Sequence, residues 1–231
     1  MDFWKRDTVQ RENAWKYLIG TIDPEIALIQ EIVPPETSYN SYHTLYHEID
    51  GKRKWGTAVI SKHSILKELY FNNCYPGSSG LIVCEIKASD DLLTVINIYG
   101  QLDASGYAST TMHHLLSDLT QILNKKNKRK IILGGDFNVS EQFDEVYKGE
   151  FPSHKFVFDR LENFGLVNCT KKHYNGHIQT HIHSRSKFDW QNDYLFVSEN
   201  IFNEVKSCEV INREELLDFS DHLPVTIELK I

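Results

Sequence analysis

Short apolar runs, separated by polar turns and by Gly or Pro, recur along the whole chain. A run of this kind predicts a buried β-strand, because a helix needs a longer segment to bury one face. The chain therefore predicts strands from near its beginning to its end. The runs lie at residues 26–30, 56–60, 81–86, 92–99, 131–133, 193–198 and 225–229.

Three other segments carry apolar residues at helical spacing. The first covers residues 15–19 and is followed by Gly20, a typical C-cap residue. The second begins at Ser109, a good N-cap residue, and continues as a long apolar stripe with offsets of three and four. The third covers residues 156–161 and is expected to end near Gly165. These stripes predict helices that pack on the core.

The run at residues 131–133 ends at a pair of glycines, after which Asp136 and Asn138 follow two residues apart. Residues two apart in an extended chain point to the same side. We therefore expect Asp136 and Asn138 to face one point beyond the carboxyl end of the strand, where open α/β sheets bind ligands. The alternative is a polar turn without chemistry.

Other predicted strands also begin or end at polar residues. Glu31 ends the first strand, Tyr99 ends another, and Asp193 begins a third. Asp221 and His222 precede the last strand. Carboxylates together with an imidazole are what metal-assisted cleavage of a phosphoester requires, since oxygen ligands hold Mg²⁺ and the imidazole can stabilise a phosphate. Each residue could equally be a solvated strand end.

Two segments are ambiguous. Basic residues and an aromatic at 52–55 could hold a phosphate backbone or a base, but a solvated loop explains them as well. Four histidines resemble a metal site in composition, but their irregular spacing favours a loop at the rim of the site. Within that loop His181 and His183 could share one face and touch substrate. The four are His173, His177, His181 and His183.

Size and charge narrow the class of protein. With 231 residues the chain fits a single domain, residues 1–231, with a large core. The net charge of −7 argues against strong non-specific binding to nucleic acid. No apolar run approaches the ~20 residues of a membrane span, and the first residues are too charged for a signal peptide. The four cysteines lack zinc-like spacing, which predicts reduced thiols in a cytoplasmic protein.

Five motifs in order resemble those of the endonuclease/exonuclease/phosphatase superfamily, whose members share the deoxyribonuclease I-like fold. They span nearly the whole chain, so the resemblance is specific. The motifs are Gln-Glu (30–31), Asn-Ile-Tyr (97–99), Gly-Asp-Phe-Asn (135–138), Asp-Tyr-Leu-Phe-Val-Ser (193–198) and Ser-Asp-His-Leu-Pro (220–224).

The resemblance implies an α/β (α+β) fold, a four-layer sandwich of two mixed β-sheets flanked by helices. It also implies a site. Glu31 would be the principal ligand of Mg²⁺, or of Mn²⁺ in its place, with Asp2 and Asp221 near the metal. Asp136 would activate or orient the attacking water, and Asn138 would hold the water or the phosphate.

The remaining implied roles concern the substrate phosphate. His222 would contact the scissile phosphate with its imidazole oriented by Asp193, and Tyr99 would bind a phosphate oxygen. Asp189 is the competing acid, and only the Asp-Tyr register of the motif favours Asp193.

The chain departs from the family pattern in three places. The family's first strand ends in Trp-Asn-x-Asp or Trp-Asn-x-Asn, and only Asp2 remains of that motif. We therefore expect this fold without its first strand, which would leave unpaired edges on the neighbouring strands. Gln191 and Asn192 stand where a basic residue and Ile are usual. The Pro-Asn that follows this Tyr in abasic-site endonucleases is replaced by Gly100 and Gln101.

The resulting hypothesis is a Mg²⁺-dependent hydrolase that cleaves phosphoester bonds by metal-assisted attack of water. The substrate would be either nucleic acid or a small phosphorylated molecule, so that nuclease and phosphatase or phosphodiesterase activities both remain open. We expect a monomer that does not bind a membrane. The alternative is a catalytically impaired binding module of the same fold, because the first strand and its Asn are missing.

Overall fold

A computed structural model describes residues 6–35, 41–49, 54–70, 80–124, 128–149, 151–182 and 187–230. The strands are β1 (Ile26–Ile32), β2 (His43–Glu48), β3 (Gly56–Ser61), β4 (Ser64–Glu68), β5 (Leu81–Ala88), β6 (Asp91–Tyr99), β7 (Lys130–Asp136), β8 (Leu166–Asn168), β9 (Asp193–Ser198), β10 (Val205–Val210) and β11 (Val225–Leu229). The α-helices are α1 (Thr8–Tyr17), α2 (Ser109–Asp118), α3 (Glu141–Val146), α4 (Ser153–Asn163), α5 (Cys169–Tyr174) and α6 (Glu199–Phe202).

A six-stranded sheet with the order β4-β5-β6-β7-β9-β8 forms the centre of the molecule. Strands β6 and β7 run parallel and the other neighbours are antiparallel, so this sheet is mixed, as predicted. One face carries apolar residues such as Ile96, Leu133 and Phe196, which pack against Met112 of α2 and Leu161 of α4. The predicted apolar stripe after Ser109 is therefore core.

The opposite face of this sheet is covered by a three-stranded sheet, order β1-β3-β2, and by the hairpin β10-β11. Val59, Ile82, Val95 and Val197 are among the buried residues between these layers. Helix α1 lies outside the three-stranded sheet, where Trp15 packs with residues of β1 and β3. Helix, sheet, sheet and helix make four layers, which confirms the predicted sandwich.

The second sheet layer differs from the prediction of a mixed sheet. It consists of two antiparallel pieces, and among the described residues β1 pairs only with β3 and β11 only with β10. A cleft of about 680 Å³ separates them and is lined by residues 26–30 of β1 and 225–229 of β11. The expectation that the first strand is missing stays a prediction, because residues 1–5, including Asp2, lie outside the described part of the chain.

Two predicted helix boundaries are wrong. Gly20 is not a C-cap, because the helix continues beyond it as a π-helical turn (Leu18–Ile22). The C-cap residue is Asp23, which has φ 48°. Ser109 is the first residue of α2 and not its N-cap, a position taken by Ala108 without a side-chain hydrogen bond. In contrast, α4 contains the predicted residues 156–161, and Gly165 follows it with φ 81°.

Other expectations concern the cysteines and the membrane. Cys84, Cys169 and Cys208 are buried free thiols, whereas Cys74 lies outside the described residues. Among the helices described, none combines the length and the apolar character that crossing a membrane would require.

Candidate active site

Three polar residues lie in register across the centre of the six-stranded sheet. Tyr99 at the end of β6 is opposite Asp136 at the end of β7, which in turn is opposite Asp193 at the start of β9. Directly opposed residues of neighbouring strands present their side chains on the same face. The sheet therefore brings together three residues that are far apart in sequence.

Asn138 joins this row for a different reason from the one predicted. The strand ends at Asp136, and Asn138 lies in a left-handed conformation with φ 49°, so the two residues do not continue one extended segment. The turn folds Asn138 back onto Asp136: its backbone N–H donates to Oδ1 at 3.0 Å and its side-chain amide to Oδ2 at 3.1 Å. The amide also donates to the carbonyl of Gly100 at 3.2 Å. The predicted proximity is correct, but a turn produces it.

Glu31 reaches the row from the other sheet. It sits at an irregularity in the β1–β3 pairing, between Ile29 and Ile32, and has φ 52°. The hydroxyl of Tyr99 donates to its Oε1 at 2.9 Å. A left-handed conformation is costly for a residue with a Cβ and is found where a functional or structural constraint requires it. Here the bulge directs the carboxylate toward the central sheet.

A buried amide pair fixes the two sheets beside Glu31. The side-chain amide of Gln30 donates to Oδ1 of Asn97, and the amide of Asn97 donates to the carbonyl of Ala58 at 2.9 Å. Gly135 leaves the space for this contact. A Cβ on Gly135 would lie 2.1 Å from the carbonyl oxygen of Ile98 and 2.8 Å from Nε2 of Gln30. The glycine pair before Asp136 is therefore required by the close packing of the sheets.

His222 approaches the row from the segment before β11. Its Nδ1 donates to Oδ2 of Asp193 at 2.8 Å, and its backbone N–H donates to Oγ of Ser220 at 3.0 Å. The neighbouring Asp221 has Oδ1 4.0 Å from Nε2 of His222. The predicted pair of Asp193 and His222 is present. Asp189, the competing acid, is exposed, and its carbonyl accepts from Gln142 at 3.1 Å.

Thr180, which no pattern in the sequence singles out, holds this segment in place. The buried Thr180 hydroxyl accepts from the backbone N–H groups of Asn192 and Asp193, each at 3.0 Å. Its carbonyl accepts from the N–H of Leu223 at 2.7 Å. The segment around Thr180 therefore links the start of β9 to the segment that carries His222.

His181 pairs with His222 in an isolated antiparallel bridge, and the two imidazole rings lie 4.5 Å apart. Its Nδ1 accepts from the amide of Asn192 at 3.4 Å, while its Nε2 is 4.0 Å from Oδ2 of Asp221. Of the four histidines, His181 thus lies beside His222, and the expectation that it touches substrate stays a prediction. His173 lies on α5, contrary to the predicted loop, and His183 lies outside the described residues.

The unusual residues before Asp193 have structural roles. Gln191 is buried, and its side-chain amide donates to the hydroxyl of Thr170 at 2.7 Å. Asn192 is also buried, and its backbone carbonyl accepts from the N–H of Phe137 at 2.9 Å. In the segment at 52–55, Trp55 is buried against Tyr99, and residues 52 and 53 lie outside the described part.

The pKa values of Asp136 and His222 are both raised, but for different reasons. Burial raises the pKa of Asp136 to about 7, a rise that nearby His222 opposes and that the carboxylates of Asp193 and Glu31 reinforce. Burial disfavours the charged form of His222, but the carboxylates of Asp193, Asp136 and Asp221 outweigh it and raise the pKa of His222 to about 10. At neutral pH the imidazole is therefore protonated, and Asp136 is close to its midpoint.

The donor atoms fit a divalent cation. Carboxylate oxygens of Asp136 and Asp193 lie within 4.8 Å of each other and of a ring nitrogen of His222, and the same holds for Asp221 with His181 and His222. The protonated His222 supplies charge to this region and not a ligand atom. Glu31 contributes a further carboxylate, which is close enough to raise the pKa of Asp136. Several carboxylates near one point are the oxygen-rich environment that Mg²⁺ and Mn²⁺ prefer. A cation would also relieve the repulsion among the carboxylates of Asp136, Asp193 and Glu31, which together with burial raises the pKa of Asp136.

Known proteins identify the class of this chain. The Endonuclease/Exonuclease/phosphatase family model matches residues 3–222. The chain therefore belongs to this family, as the motifs predicted. A search of curated proteins found no match.

Solved structures support the fold. An AP endonuclease from Archaeoglobus fulgidus is 17% identical with a TM-score of 0.76, and the match covers 98% of this chain and 96% of that one. A 3′-5′ exonuclease from Neisseria meningitidis is 19% identical with a TM-score of 0.72 and 96% of each chain covered. A 3′ phosphatase from Neisseria bound to a product DNA hairpin is also 19% identical, with a TM-score of 0.70 and 96% and 95% covered.

Proposed function

We propose that this protein is a divalent-metal-dependent hydrolase of phosphoester bonds in nucleic acid. One observation carries the proposal: carboxylate oxygens of Asp136 and Asp193 and a ring nitrogen of His222 lie within 4.8 Å of one another, at a sheet edge that also holds Tyr99 in contact with Glu31. Carboxylates that can hold a cation, a protonated imidazole and a phenol are the groups required for attack of water on a phosphate.

Glu31 and Asp221 are the proposed cation ligands, and Mg²⁺ is the proposed ion. When bound, the cation supplies positive charge that polarises the phosphate. Asp2, proposed near the metal from the family motif, lies outside the described residues. The carboxylate of Glu31 is held in direction by the hydroxyl of Tyr99 and by the packing of the neighbouring Gln30 against Asn97.

Asp136 is the proposed acceptor of the proton from the attacking water. Its pKa of about 7 in the metal-free protein lies near the working range of a general base at neutral pH. The amide of Asn138 hydrogen-bonds to the same carboxylate and fixes its orientation. Asn138 is also placed to hold the water or a phosphate oxygen.

His222 and Tyr99 are the proposed contacts to the phosphate. Because its pKa is raised to about 10, His222 carries a positive charge that suits the developing negative charge on the phosphate oxygens. Asp193 fixes the ring through Nδ1, leaving Nε2 to face the substrate. The hydroxyl of Tyr99 donates its one proton to Glu31 in this structure and would donate it to a phosphate oxygen instead when substrate is bound.

Nucleic acid is the proposed substrate class. The three solved structures described above are an AP endonuclease, a 3′-5′ exonuclease and a 3′ phosphatase bound to a product DNA hairpin. The net charge of −7 requires that binding be local, since non-specific binding would need a basic surface. A small phosphorylated molecule remains the alternative substrate within the same chemistry.

A substrate panel tests the proposal. It contains single-stranded DNA, duplex DNA with an abasic site, DNA with a 3′ phosphate, and several small phosphomonoesters, each with Mg²⁺, with Mn²⁺ and with a chelator. We expect turnover of at least one DNA substrate that the chelator abolishes and that Glu31→Gln strongly reduces. Asp189→Asn is the matched control, because Asp189 is an exposed acid only four residues from Asp193.

Three outcomes separate the hypotheses. Turnover of phosphomonoesters alone would move the assignment to a small-molecule phosphatase. Turnover that persists in the chelator would refute the metal dependence. No turnover of any phosphoester, with retained binding of DNA, would refute the proposed hydrolase and assign a binding module.

A further inference from the structure

A cluster of aromatic rings lies beside the candidate active site. Its members, called here the aromatic patch, are Phe143, Tyr147, Phe188 and Trp190. Trp190 stacks on Phe143 with ring centroids 4.2 Å apart and an interplanar angle of 17°. Tyr147 lies 6.2 Å from Phe143 and 6.3 Å from Trp190 at angles of 22° and 24°, and Phe188 lies 5.1 Å from Trp190.

The patch adjoins His222 through two backbone bridges. His181 pairs with His222 on one side and with Trp190 on the other. Partners in a bridge present their side chains on one face, so Trp190, His181 and His222 form a row. Two strand spacings place the backbone of Trp190 about 10 Å from that of His222. The aromatic patch therefore begins close to the proposed phosphate position, on the same side as the His222 ring.

The outer members of the patch are open to solvent although they are large and apolar. Tyr147 is 64% exposed and Phe188 is 44% exposed, whereas Trp190 beneath them is 6% exposed. Each exposed ring has a lysine as its neighbour in sequence, Lys148 after Tyr147 and Lys187 before Phe188, and both lysines are exposed. Exposed rings interleaved with cations are typical of surfaces that bind single-stranded nucleic acid, where bases stack and phosphates are neutralised.

The patch is also held rigidly before any ligand arrives. Gln142 on α3 donates its amide to the carbonyl of Asp189 at 3.1 Å, and its Oε1 accepts from the N–H of Gln191 at 3.1 Å. These two bonds join the helix that carries Phe143 to the segment that carries Phe188 and Trp190. A preorganised stacking surface loses little entropy when a flat ring binds to it.

We propose that the aromatic patch is a stacking platform for an unpaired nucleobase next to the scissile phosphate. The substrate is then a single strand, or an unpaired end or loop, because a base inside a duplex has both faces covered by its neighbours. The inference rests on the proposed function for the position of the phosphate. The patch supplies the apolar and aromatic contact, and Lys148 and Lys187 supply positive charge beside it.

The test compares a substrate that has bases with one that has none. Tyr147→Ala, Phe188→Ala and the double variant are assayed with a single-stranded thymidine oligonucleotide and with an oligonucleotide of equal length whose sugars carry no bases. We expect KM for the thymidine oligonucleotide to rise about tenfold for each ring removed, with kcat within about twofold of wild type. Turnover of the base-free oligonucleotide should not change. Phe156→Ala is the matched control, since Phe156 on α4 is also 44% exposed and lies outside the patch.

Binding without turnover makes the test independent of the chemistry. The same variants are titrated with a fluorescent thymidine oligonucleotide and with a blunt duplex of equal length, in the presence of a chelator. We expect wild type to favour the single strand, and the double variant to lose that preference. If wild type binds in this way but hydrolyses no phosphoester, the proposed function fails and the platform stands.

Two outcomes overturn the platform. In the first, wild type is active, but the double variant has the same KM and the same affinity for the oligonucleotide as the control Phe156→Ala. In the second, wild type is a dimer that Tyr147→Ala converts to a monomer without a change in oligonucleotide binding, and the patch would then be the contact with a second copy of the chain.

Discussion

The hydrogen bond between Asp193 and His222 allows the electrostatic reasoning to be tested directly. Asp193→Asn keeps the size of the side chain and removes its charge. In the structure this carboxylate lies 2.8 Å from Nδ1 of His222 and is the largest of the charges that hold the imidazole protonated. Burial, which favours the neutral ring, stays unchanged in the variant. The pKa of His222 must therefore fall.

The size of the effect follows from the strength of one hydrogen bond between charged groups. Such a bond contributes about 1.5–3 kcal/mol, so its loss should lower the pKa of His222 from about 10 to about 8. At pH 9 the protonated fraction of the ring then falls from roughly nine-tenths to roughly one-tenth. If the imidazolium contacts the phosphate, turnover at pH 9 falls by about the same ninefold factor, in addition to any loss at pH 7.

The pH dependence of folding stability should also differ between Asp193→Asn and wild type. A raised pKa means that the folded state favours the imidazolium, which contributes stability fully below the ordinary pKa of 6.5 and loses it as pH rises through about 10. In Asp193→Asn the loss should be complete by a lower pH. A pH series of thermal unfolding midpoints in the metal-free protein measures this difference.

The assay is an NMR titration of the imidazole carbons in the metal-free protein, together with the pH profile of kcat. Asp189→Asn serves as control, because it removes an exposed acid near in sequence and should leave His222 unchanged. A His222 midpoint in Asp193→Asn within half a pH unit of wild type would refute the account. So would an equal shift in the control.

Three further predictions concern neighbouring residues. Asp136→Asn should lower turnover about 10²–10⁴-fold. The raised pKa of Asp136 costs stability that grows as pH rises from the ordinary 3.8 to about 7 and stays constant above it, so the variant should gain thermal stability over wild type between about pH 5 and 8. Gly135→Ala should cost about 3 kcal/mol in urea unfolding because its Cβ meets the Ile98 carbonyl, whereas Gly106→Ala, with φ +82° and open space, should cost about 1 kcal/mol. His181→Gln should reduce kcat about tenfold by removing a positioned donor; an unchanged kcat would exclude His181 from the reaction.

Much of the fold could be predicted because apolar runs report burial directly. The predicted strands at 81–86, 92–99 and 193–198 all lie in the central sheet, where both faces are covered. The sequence did not predict strands β2, β4, β8 and β10, each of which is the outermost strand of its sheet. Strands β2 and β4 contain only exposed and half-buried residues. Periodicity is weak where only part of one face is buried.

The site could be predicted only as a set of strand ends. Glu31, Tyr99, Asp136 and Asp193 each stand at or near the end of an apolar run, so pattern alone singled them out, and the family motifs grouped them. The sequence contains no comparable signal for Thr180, which acts through backbone hydrogen bonds to residues more than ten positions away. The conformation of Asn138 was also hidden, because a left-handed turn and an extended strand both bring its amide near Asp136.

The arrangement of charge explains why so many hydrogen bonds surround these few residues. Burial raises the pKa of Asp136, and repulsion by the carboxylates of Asp193 and Glu31 adds to that rise. Side chains in such a setting would rotate apart unless the backbone prevented it. Register across three strands, the bulge at Glu31 and the bonds of Thr180 prevent it. The fold thus holds these acids together at the proposed active site, and the protonated His222 offsets part of the repulsion between them.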